Sequence, residues 1–439
     1  MNHSYEGLDR PGGFARGGLL APLVRRDYRR LLSGLSVSLL GDGVFLVALA
    51  WQVYTLKGAP SALGAVGIAM TVPTIACLLL GGALSDRYDR RRVMMCADAV
   101  RALATAMLAT LALCGTLTFG ELLGLAVVQG AASAFFDPAS DAIVPELLEG
   151  ELLAQANALD QLVRPLALRL AGPALGGLIV ALLGSGGAFA FDAASFAISG
   201  IAVATLAPGR RPTGEARTGR AIGSEIVDGF RYVTGEPWLW VTLAGAAIAY
   251  LLFMGPVEVL LPYVVKEQMH QHAGSLGLVY AAGGAGSLVC ALGIGGRGLP
   301  RRPVRFIYIT WTIATLAVAG YGVARSDWGL ALASIAFNAL ETAGTIAWIT
   351  LKQRLVPARL LGRVSSLDWL ISIGLLPLSY GLTGPVSAAL GVRTTLVGAG
   401  VLGALVTVVG LLVPGVQDPD GGPPATMNAR TFSSLSGAD

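Results

Sequence analysis

The sequence predicts an all-α membrane protein with twelve transmembrane helices in two six-helix bundles. Hydrophobic residues make up 54% of its 439 positions and charged residues only 13%, which leaves too little polar surface to cover a water-soluble globule. Apolar runs of about 20 residues, long enough to cross a bilayer, recur along the chain. The 59 glycines fit this class, because small residues let helices in lipid approach each other closely.

The apolar runs are the predicted spans, and short polar turns separate most of them. The exception is a longer, arginine-rich stretch in the middle of the chain, which is the predicted linker between the two bundles. The twelve runs lie near residues 31–56, 62–84, 93–115, 119–142, 158–183, 187–207, 238–264, 274–296, 304–323, 328–351, 364–388 and 391–414.

Basic residues indicate the orientation. Most of the 31 lysines and arginines fall on one side, whereas the opposite loops hold only Lys57, Lys266, Arg325 and Arg393. Because basic loops stay in the cytoplasm, a multi-pass protein of the cell (inner or plasma) membrane with both termini cytoplasmic is predicted. The predicted segments are a cytoplasmic N-terminal segment at 1–30, a first bundle at 31–207, a cytoplasmic linker at 208–237, a second bundle at 238–414 and a disordered cytoplasmic tail at 415–439.

A weak internal repeat relates the two halves. At an offset of 213 residues, Cys77 falls on Cys290 and Gly82 falls on Gly295. Such matches run in one order at nearly one offset. They favour two parallel repeats related by an axis along the membrane normal.

The strongest local motif is the segment 82–92, Gly-Ala-Leu-Ser-Asp-Arg-Tyr-Asp-Arg-Arg-Arg, between the second and third spans. Its glycine allows close helix contact, and Asp86 can accept hydrogen bonds from the N-terminus of a facing helix. Its arginines either set the topology or pair with acids at other helix ends, for which Asp98, Asp137 and Asp141 are candidates. The predicted gating cluster, made in one conformation and broken in the other, comprises Gly82, Asp86, Arg87, Arg90, Arg91, Asp98 and Arg101.

The fifth span carries the segment Gly172-Pro173-Ala174-Leu175-Gly176-Gly177. The glycines four apart form a small-residue face, and the proline frees a backbone carbonyl, so this helix can pack closely against another and still bend. Close packing alone would account for this pattern.

Together these motifs resemble the major facilitator superfamily. The G-x-x-x-D-R-x-x-R-R loop is similar to its signature between the second and third helices, and the Gly172 segment is similar to the G-P-x-x-G-G element of its exporters. The chain resembles in particular the twelve-span drug and siderophore exporters of the macrolide and enterobactin exporter type. The resemblance implies the major facilitator fold and transport by alternating access. The chain departs from the family pattern at Ala126, where the family has an arginine on the fourth helix. It departs again at Leu299, which occupies the position of Asp86 in the second half, so the acid is lost there.

Ionisable residues within the spans are candidates for the substrate and proton pathway, because a charge in the bilayer is costly without a partner or a wet cavity. Asp42 lies halfway along the first span, and its flanking glycines would leave room for water or substrate; the alternative is a structural hydrogen-bond acceptor. Arg169 should reach mid-membrane and needs a negative partner, for which we predict Asp42. Glu341 lies in the middle of the tenth span, with Asn338 one turn before it on the same face.

Other charged residues have simpler interpretations. Asp160 and Arg164, four apart, are expected to pair with each other. Asp192, Glu258 and Asp368 lie nearer the predicted helix ends, where a side chain reaches water more easily, and a role in the pathway is the alternative for these three.

The sequence thus predicts a secondary active exporter of a small organic compound, such as a drug, an antibiotic or a siderophore-like molecule, working as a proton-coupled antiporter. An importer, a lipid flippase and a non-transporting membrane sensor are the alternatives. No catalytic residue, metal site or nucleic-acid partner is predicted, since the chain lacks a Gly-x-Ser-x-Gly element and a His-x-x-x-His pair. We expect a monomer in the bilayer with no cofactor, energised by the proton gradient.

Overall fold

The structure is a computed structural model that describes residues 20–148, 151–207, 230–295 and 300–421. The side chains that it does not describe within these ranges are those of 78–87, 151, 154, 158, 161, 295, 358, 359, 361–363, 366, 369, 373 and 421. Within these ranges the chain is almost entirely helical and contains no β-strand. The N-terminal residues before 20, most of the predicted linker and the end of the predicted tail lie outside the described residues.

In the described part of the first half, six α-helices are present. A π-helical segment, Leu166–Ala171, joins the fifth to the sixth. Such a segment holds an additional residue in its turn and so rotates the side chains that follow it. The helices are α1 Arg26–Lys57, α2 Pro60–Arg87, α3 Arg90–Leu113, α4 Phe119–Leu147, α5 Glu151–Pro165 and α6 Gly172–Ala204.

In the described residues of the second half, seven helices have 15 residues or more. After the first of them the chain continues helically through two π-helical segments, Pro256–Leu260 and Val264–Gln268. The helices are α7 Pro237–Gly255, α8 Ala273–Gly295, α9 Pro303–Val323, α10 Asp327–Leu355, α11 Ala358–Gly374, α12 Leu376–Leu390 and α13 Val392–Leu412.

The predicted number of spans agrees with these helices. In the described residues, 11 helices are long and apolar enough to cross a membrane, and one of them, Gln155–Ala204, has 50 residues. That is about twice the length that a bilayer requires. Gly184 in its middle has φ 74° and ψ 176°, which breaks the helix into two spans. Only glycine adopts such a conformation readily, and the break lies between the predicted runs 158–183 and 187–207.

Local sequence signals explain where α4 and α10 begin. Before α4, the Thr118 hydroxyl accepts the Glu121 backbone N–H at 3.3 Å, and the Glu121 carboxylate accepts the Thr118 N–H at 2.8 Å. This reciprocal capping box satisfies two donors that the first turn leaves open. Before α10, the Ser326 hydroxyl caps the Gly329 N–H at 3.2 Å.

The chain divides into two compact units. The first comprises Met1–Leu49 and Ala69–Thr213, and the second comprises Ala50–Ile68 and Gly214–Asp439. The second unit therefore includes the last residues of α1 and the first residues of α2 as well as the second half of the chain. In the first unit α3 packs along α6, and in the second α9 packs between α10 and α13.

Close glycine contacts hold the first unit together, and α4 offers a matched test. A Cβ atom added to Gly130 would lie 2.0 Å from the Met70 carbonyl oxygen on α2, whereas one added to Gly124 would meet no atom within 4 Å. We expect Gly130→Ala to destabilise the protein by about 1–3 kcal/mol, because backbone cannot move aside cheaply. Gly124→Ala should be neutral or stabilising by up to about 1 kcal/mol. Melting of the purified variants by fluorescence-detected size exclusion checks this, and equal melting temperatures would contradict it.

Candidate functional site

A buried acid centre lies in the first unit where α6 meets α1; we use this name for Asp42, Asp192 and Ser195. Asp192 is completely buried, and its Oδ1 accepts a hydrogen bond from the Ser195 hydroxyl at 3.3 Å. Its Oδ2 has no hydrogen-bond partner in the part of the chain that the structure describes. Asp42 is half-buried and lies within electrostatic range of Asp192.

The glycines beside Asp42 have a different role from the one predicted. A Cβ atom on Gly41 would lie 2.5 Å from Asp192 Oδ1, and one on Gly43 would lie 2.8 Å from the Gly172 Cα atom. They therefore leave no room for substrate, since their missing side chains let α6 approach α1. This approach is what brings Asp192 next to Asp42.

A second charged pair lies in the same unit. Asp98 and Arg101, one turn apart on α3, form a buried salt bridge. The Arg101 guanidinium also stacks on two rings, 4.0 Å from the Phe136 centroid and 4.4 Å from the Phe196 centroid. This arrangement compensates the arginine charge twice, by the carboxylate and by the aromatic faces. Asp42 lies within electrostatic range of both charges.

The predicted gating cluster divides into separate parts. Asp98 and Arg101 lie two to three turns into α3 and bind each other rather than the arginines of the loop, which corrects the prediction of one network. Arg90 pairs instead with Glu146 at 2.6 Å, and Arg91 donates to the Ala204 carbonyl. Gly82, Asp86 and Arg87 lie in the part of α2 for which the structure describes the backbone alone.

For Arg90 and Arg91, the acids suggested as partners were therefore wrong. Arg90 also donates to the Ala142 carbonyl at 2.8 Å, so it closes on the end of α4. Neither Asp137 nor Asp141 forms a salt bridge in the described part of the chain. Asp89 caps α3 by accepting the Arg91 backbone N–H at 3.0 Å.

The predicted pair between Arg169 and Asp42 does not form. Arg169 is exposed on the π-helical segment Leu166–Ala171, and no described acid forms a salt bridge with it. The irregular turn after Pro165 rotates this residue away from the direction that a regular helix would give it. The pair of Asp160 and Arg164 is confirmed, at 3.4 Å and partly exposed.

The Gly172 motif packs against α1, as its small-residue face predicts. A Cβ atom on Gly176 would lie 2.9 Å from the Val44 Cα atom, and one on Gly172 would lie 2.7 Å from the Gly43 Cα atom. Pro173 and Gly177 are buried in the same helix. The motif thus sets the distance between α1 and α6, the two helices that carry the acid centre.

In the second unit, hydrogen bonds join the end of α1 to the segment after α7. The Lys266 ammonium donates to the Trp51 carbonyl at 3.0 Å and lies 4.7 Å from the Trp51 ring centroid. The Tyr54 hydroxyl donates to the Val259 carbonyl, and the Tyr380 hydroxyl donates to Glu258 Oε2 at 2.7 Å. Glu258 is exposed on this unit, and the Tyr380 hydroxyl holds its carboxylate.

A largely apolar cavity lies inside the second unit between α7, α9, α10 and α13, with an empty volume of about 500 Å³. Glu341 and Phe337 line it from α10. Asn338 does not share this position, because its side chain contacts α8, where a Cβ atom on Gly283 would lie 2.5 Å from Asn338 Nδ2. Residues three apart on a helix point about 60° apart, which is enough to separate these two side chains.

A buried salt bridge lies further along α10. Lys352 donates to Asp368 Oδ2 at 2.6 Å, and the Trp348 indole N–H donates to the same oxygen at 3.0 Å. Lys352 also lies 5.8 Å from the Trp348 ring centroid. Asp368 is thus paired with groups of another helix and does not snorkel to water.

Comparison with known proteins identifies the class. A family model described as transmembrane secretion effector matches residues 17–432. The chain is 30% identical to the multidrug efflux pump Tap of Mycolicibacterium fortuitum, over 87% of this chain and 94% of that pump. It is 27% identical to the enterobactin exporter EntS of Citrobacter koseri, over 88% of this chain and 89% of that exporter.

Solved structures show the same fold. A bacterial homologue of the lysosomal transporter Spinster, inward-facing and occupied, has a TM-score of 0.69 at 14% identity, over 92% of this chain and 99% of that chain. A bacterial homologue of the iron transporter ferroportin has a TM-score of 0.66 at 17% identity, over 88% of this chain and 99% of that chain.

The helices and these matches define a multi-pass membrane transporter of the major facilitator type. The chain belongs to the transmembrane secretion effector family, and its relatives include drug and siderophore exporters. It is a transporter of small molecules and not an enzyme. The predicted fold and family are confirmed.

The partners of some candidate residues could not be found from the sequence. Asp192, Lys352 and Glu146 gain their roles from partners 16 to 150 positions away, by subtraction of the residue numbers of each pair. A signal existed only for Asp192, which is the one acid among the small and apolar residues of the sixth predicted span.

Proposed function

We propose that the chain exports a small organic compound across the cell membrane in exchange for protons, by alternating access, with both termini in the cytoplasm. The observation that carries this proposal is the buried acid centre. It holds two carboxylates, Asp42 and Asp192, within electrostatic range of each other in the first unit. Acids inside a membrane are costly unless they bind a proton or a partner, and proton relays are built from such groups.

The chemistry of the pair supplies the coupling. Two ionised carboxylates in a medium of low dielectric repel each other, and a single proton removes that repulsion. A proton gradient can bias two conformations only if they differ in proton affinity. We expect the acid centre to hold its proton more tightly when it is open to the outside, so that release to the cytoplasm accompanies the export step.

The direction of transport is supported by the relatives and by the packing of α6. The two relatives are named as an efflux pump and an exporter. The Gly172 motif, which resembles the exporter element, packs α6 against α1 beside the acid centre. In an exporter the motif and the acids would therefore act together, because the motif sets the distance between the two helices that carry the acid centre.

Everted membrane vesicles test this proposal. Respiration acidifies their interior and quenches acridine orange. Three probes of different charge would then be added: tetraphenylphosphonium, the zwitterionic antibiotic ciprofloxacin, and an anionic catecholate siderophore. We expect at least one probe to accumulate inside and to restore the fluorescence as protons leave, in vesicles that contain the protein and not in vesicles of the same host without it.

Two results would contradict this function. Accumulation that continues unchanged after nigericin collapses the proton gradient would exclude proton coupling. Release of a preloaded probe from everted vesicles, driven by the same gradient, would indicate an importer instead.

A further inference from the structure

Aromatic rings form much of the wall of the cavity in the second unit. Tyr250, Phe253 and Phe337 are in series, with ring centroids 5.5 Å and 5.6 Å apart. Tyr308 and Trp311 line it from α9. Apolar and aromatic walls with few polar groups are typical of pockets that bind small organic molecules.

Glu341 is the one charged side chain among the described residues that line the cavity. Its Oε1 accepts a hydrogen bond from the Thr345 hydroxyl at 2.9 Å. No described lysine or arginine forms a salt bridge with it. A carboxylate halfway along a membrane helix, facing an aromatic cavity, lacks the cation that would normally compensate it.

The nearest cation along the same stripe of α10 is already engaged. Lys352 is 11 residues beyond Glu341, about 16 Å along the helix, and Asp368 binds it at 2.6 Å. Trp348 lies against this lysine as well. At the level of Lys352, the protein therefore compensates a cation with a carboxylate and an indole. At the level of Glu341, it provides a carboxylate and aromatic rings but no described cation.

The threonines of the cavity do not offer hydrogen-bond donors to a ligand. Thr242, Thr315 and Thr407 donate to backbone carbonyls at 2.6 Å, 2.8 Å and 2.8 Å. Their donors are used within their own helices, so aromatic side chains and the Glu341 carboxylate are the main groups that face a ligand. Aromatic faces attract cations and repel anions through the ring quadrupole.

We propose that this cavity binds an organic cation, with the positive charge beside Glu341 and the apolar body against Phe253, Phe337 and Trp311. This inference deepens the proposed function, on which its role in transport rests, by naming the chemical class of the substrate. The carboxylate gains the partner that it lacks, and the rings contribute cation–π contacts that a neutral ligand of the same shape would not make.

A matched pair of ligands tests the proposal on the purified full-length chain. Tetraphenylphosphonium and tetraphenylborate share their shape and differ in the sign of their charge. Scintillation proximity should detect binding of labelled tetraphenylphosphonium and at least about 30-fold weaker binding of tetraphenylborate. Glu341→Gln should weaken tetraphenylphosphonium by about 30-fold or more, since it removes one partner of a buried charge pair. Glu267→Gln, outside the cavity, is the control and should bind like the wild type.

Ala246→Phe fills the cavity from α7 and should remove binding in a protein that still elutes as a single species. Wild-type affinity in both Glu341→Gln and Ala246→Phe would overturn the proposal, as would equal binding of the two ligands. The outcome is separable from that of the proposed function. Proton-coupled export that persists unchanged in Glu341→Gln vesicles would refute this site alone. Charge-selective binding without any probe that dissipates the proton gradient would refute the proton coupling alone.

Discussion

Asp192→Asn is expected to reduce proton-driven export to the level of vesicles that lack the protein. The substitution keeps the size of the side chain and its hydrogen bond with Ser195, but it removes the group that can take up and release a proton. Asp42→Asn should have the same effect, because the proposal needs both carboxylates of the acid centre. Recovery of acridine orange fluorescence in everted vesicles, with a probe that the wild type transports, measures the loss.

The control for this prediction lies on the same helix as Asp42. Asp27 is a partly exposed acid at the start of α1, 3.5 Å from Arg30. Asp27→Asn should export at the wild-type rate. Wild-type rates in both Asp192→Asn and Asp42→Asn, at equal protein levels, would show that the acid centre does not couple protons to transport.

Arg101→Ala is expected to destabilise the protein by about 3–5 kcal/mol, because it leaves the buried Asp98 carboxylate without its partner. The loss of stacking on Phe136 and Phe196 adds to this effect. The double variant Arg101→Leu/Asp98→Leu should recover much of the lost stability, since it leaves no buried charge. Unfolding of the purified protein in a series of SDS concentrations measures the differences.

The pair of Arg164 and Asp160 provides the comparison. It is partly exposed and 3.4 Å long, so Arg164→Ala should cost less than about 1 kcal/mol. Equal losses for Arg101→Ala and Arg164→Ala would contradict the role assigned to the buried pair. A double variant no more stable than Arg101→Ala would contradict it as well.

The sequence predicted the architecture well, because span length and glycine spacing are local signals. The break at Gly184 lies in the gap between two apolar runs, and the contact of Gly172 and Gly176 with α1 follows from a small-residue face. These features depend on residues within one or two turns of each other. They can therefore be read from the chain without knowledge of its partners.

How deeply a charged residue is buried, and which residue it pairs with, were harder to predict. Asp192 was assigned to a helix end because the sixth run was taken to begin at 187. In the structure it lies eight residues past the break at Gly184, about 12 Å along the helix, and is completely buried. The predicted pair of Arg169 with Asp42 was wrong for a related reason, since a π-helical turn changes the direction of the arginine side chain. Pairs such as Arg90 with Glu146 join distant segments, and no local pattern specifies them.

Proton release on substrate binding tests the central claim most directly. A compound that the vesicle assay shows to be transported would be added to the purified protein in weakly buffered detergent solution containing a pH indicator. The wild type should release about one proton per bound molecule, because exchange requires the acid centre to lose its proton as substrate binds. The Asp42→Asn/Asp192→Asn variant should bind the compound without releasing a proton. Equal proton release from the two proteins, or none from the wild type, would contradict the assignment of proton coupling to this centre.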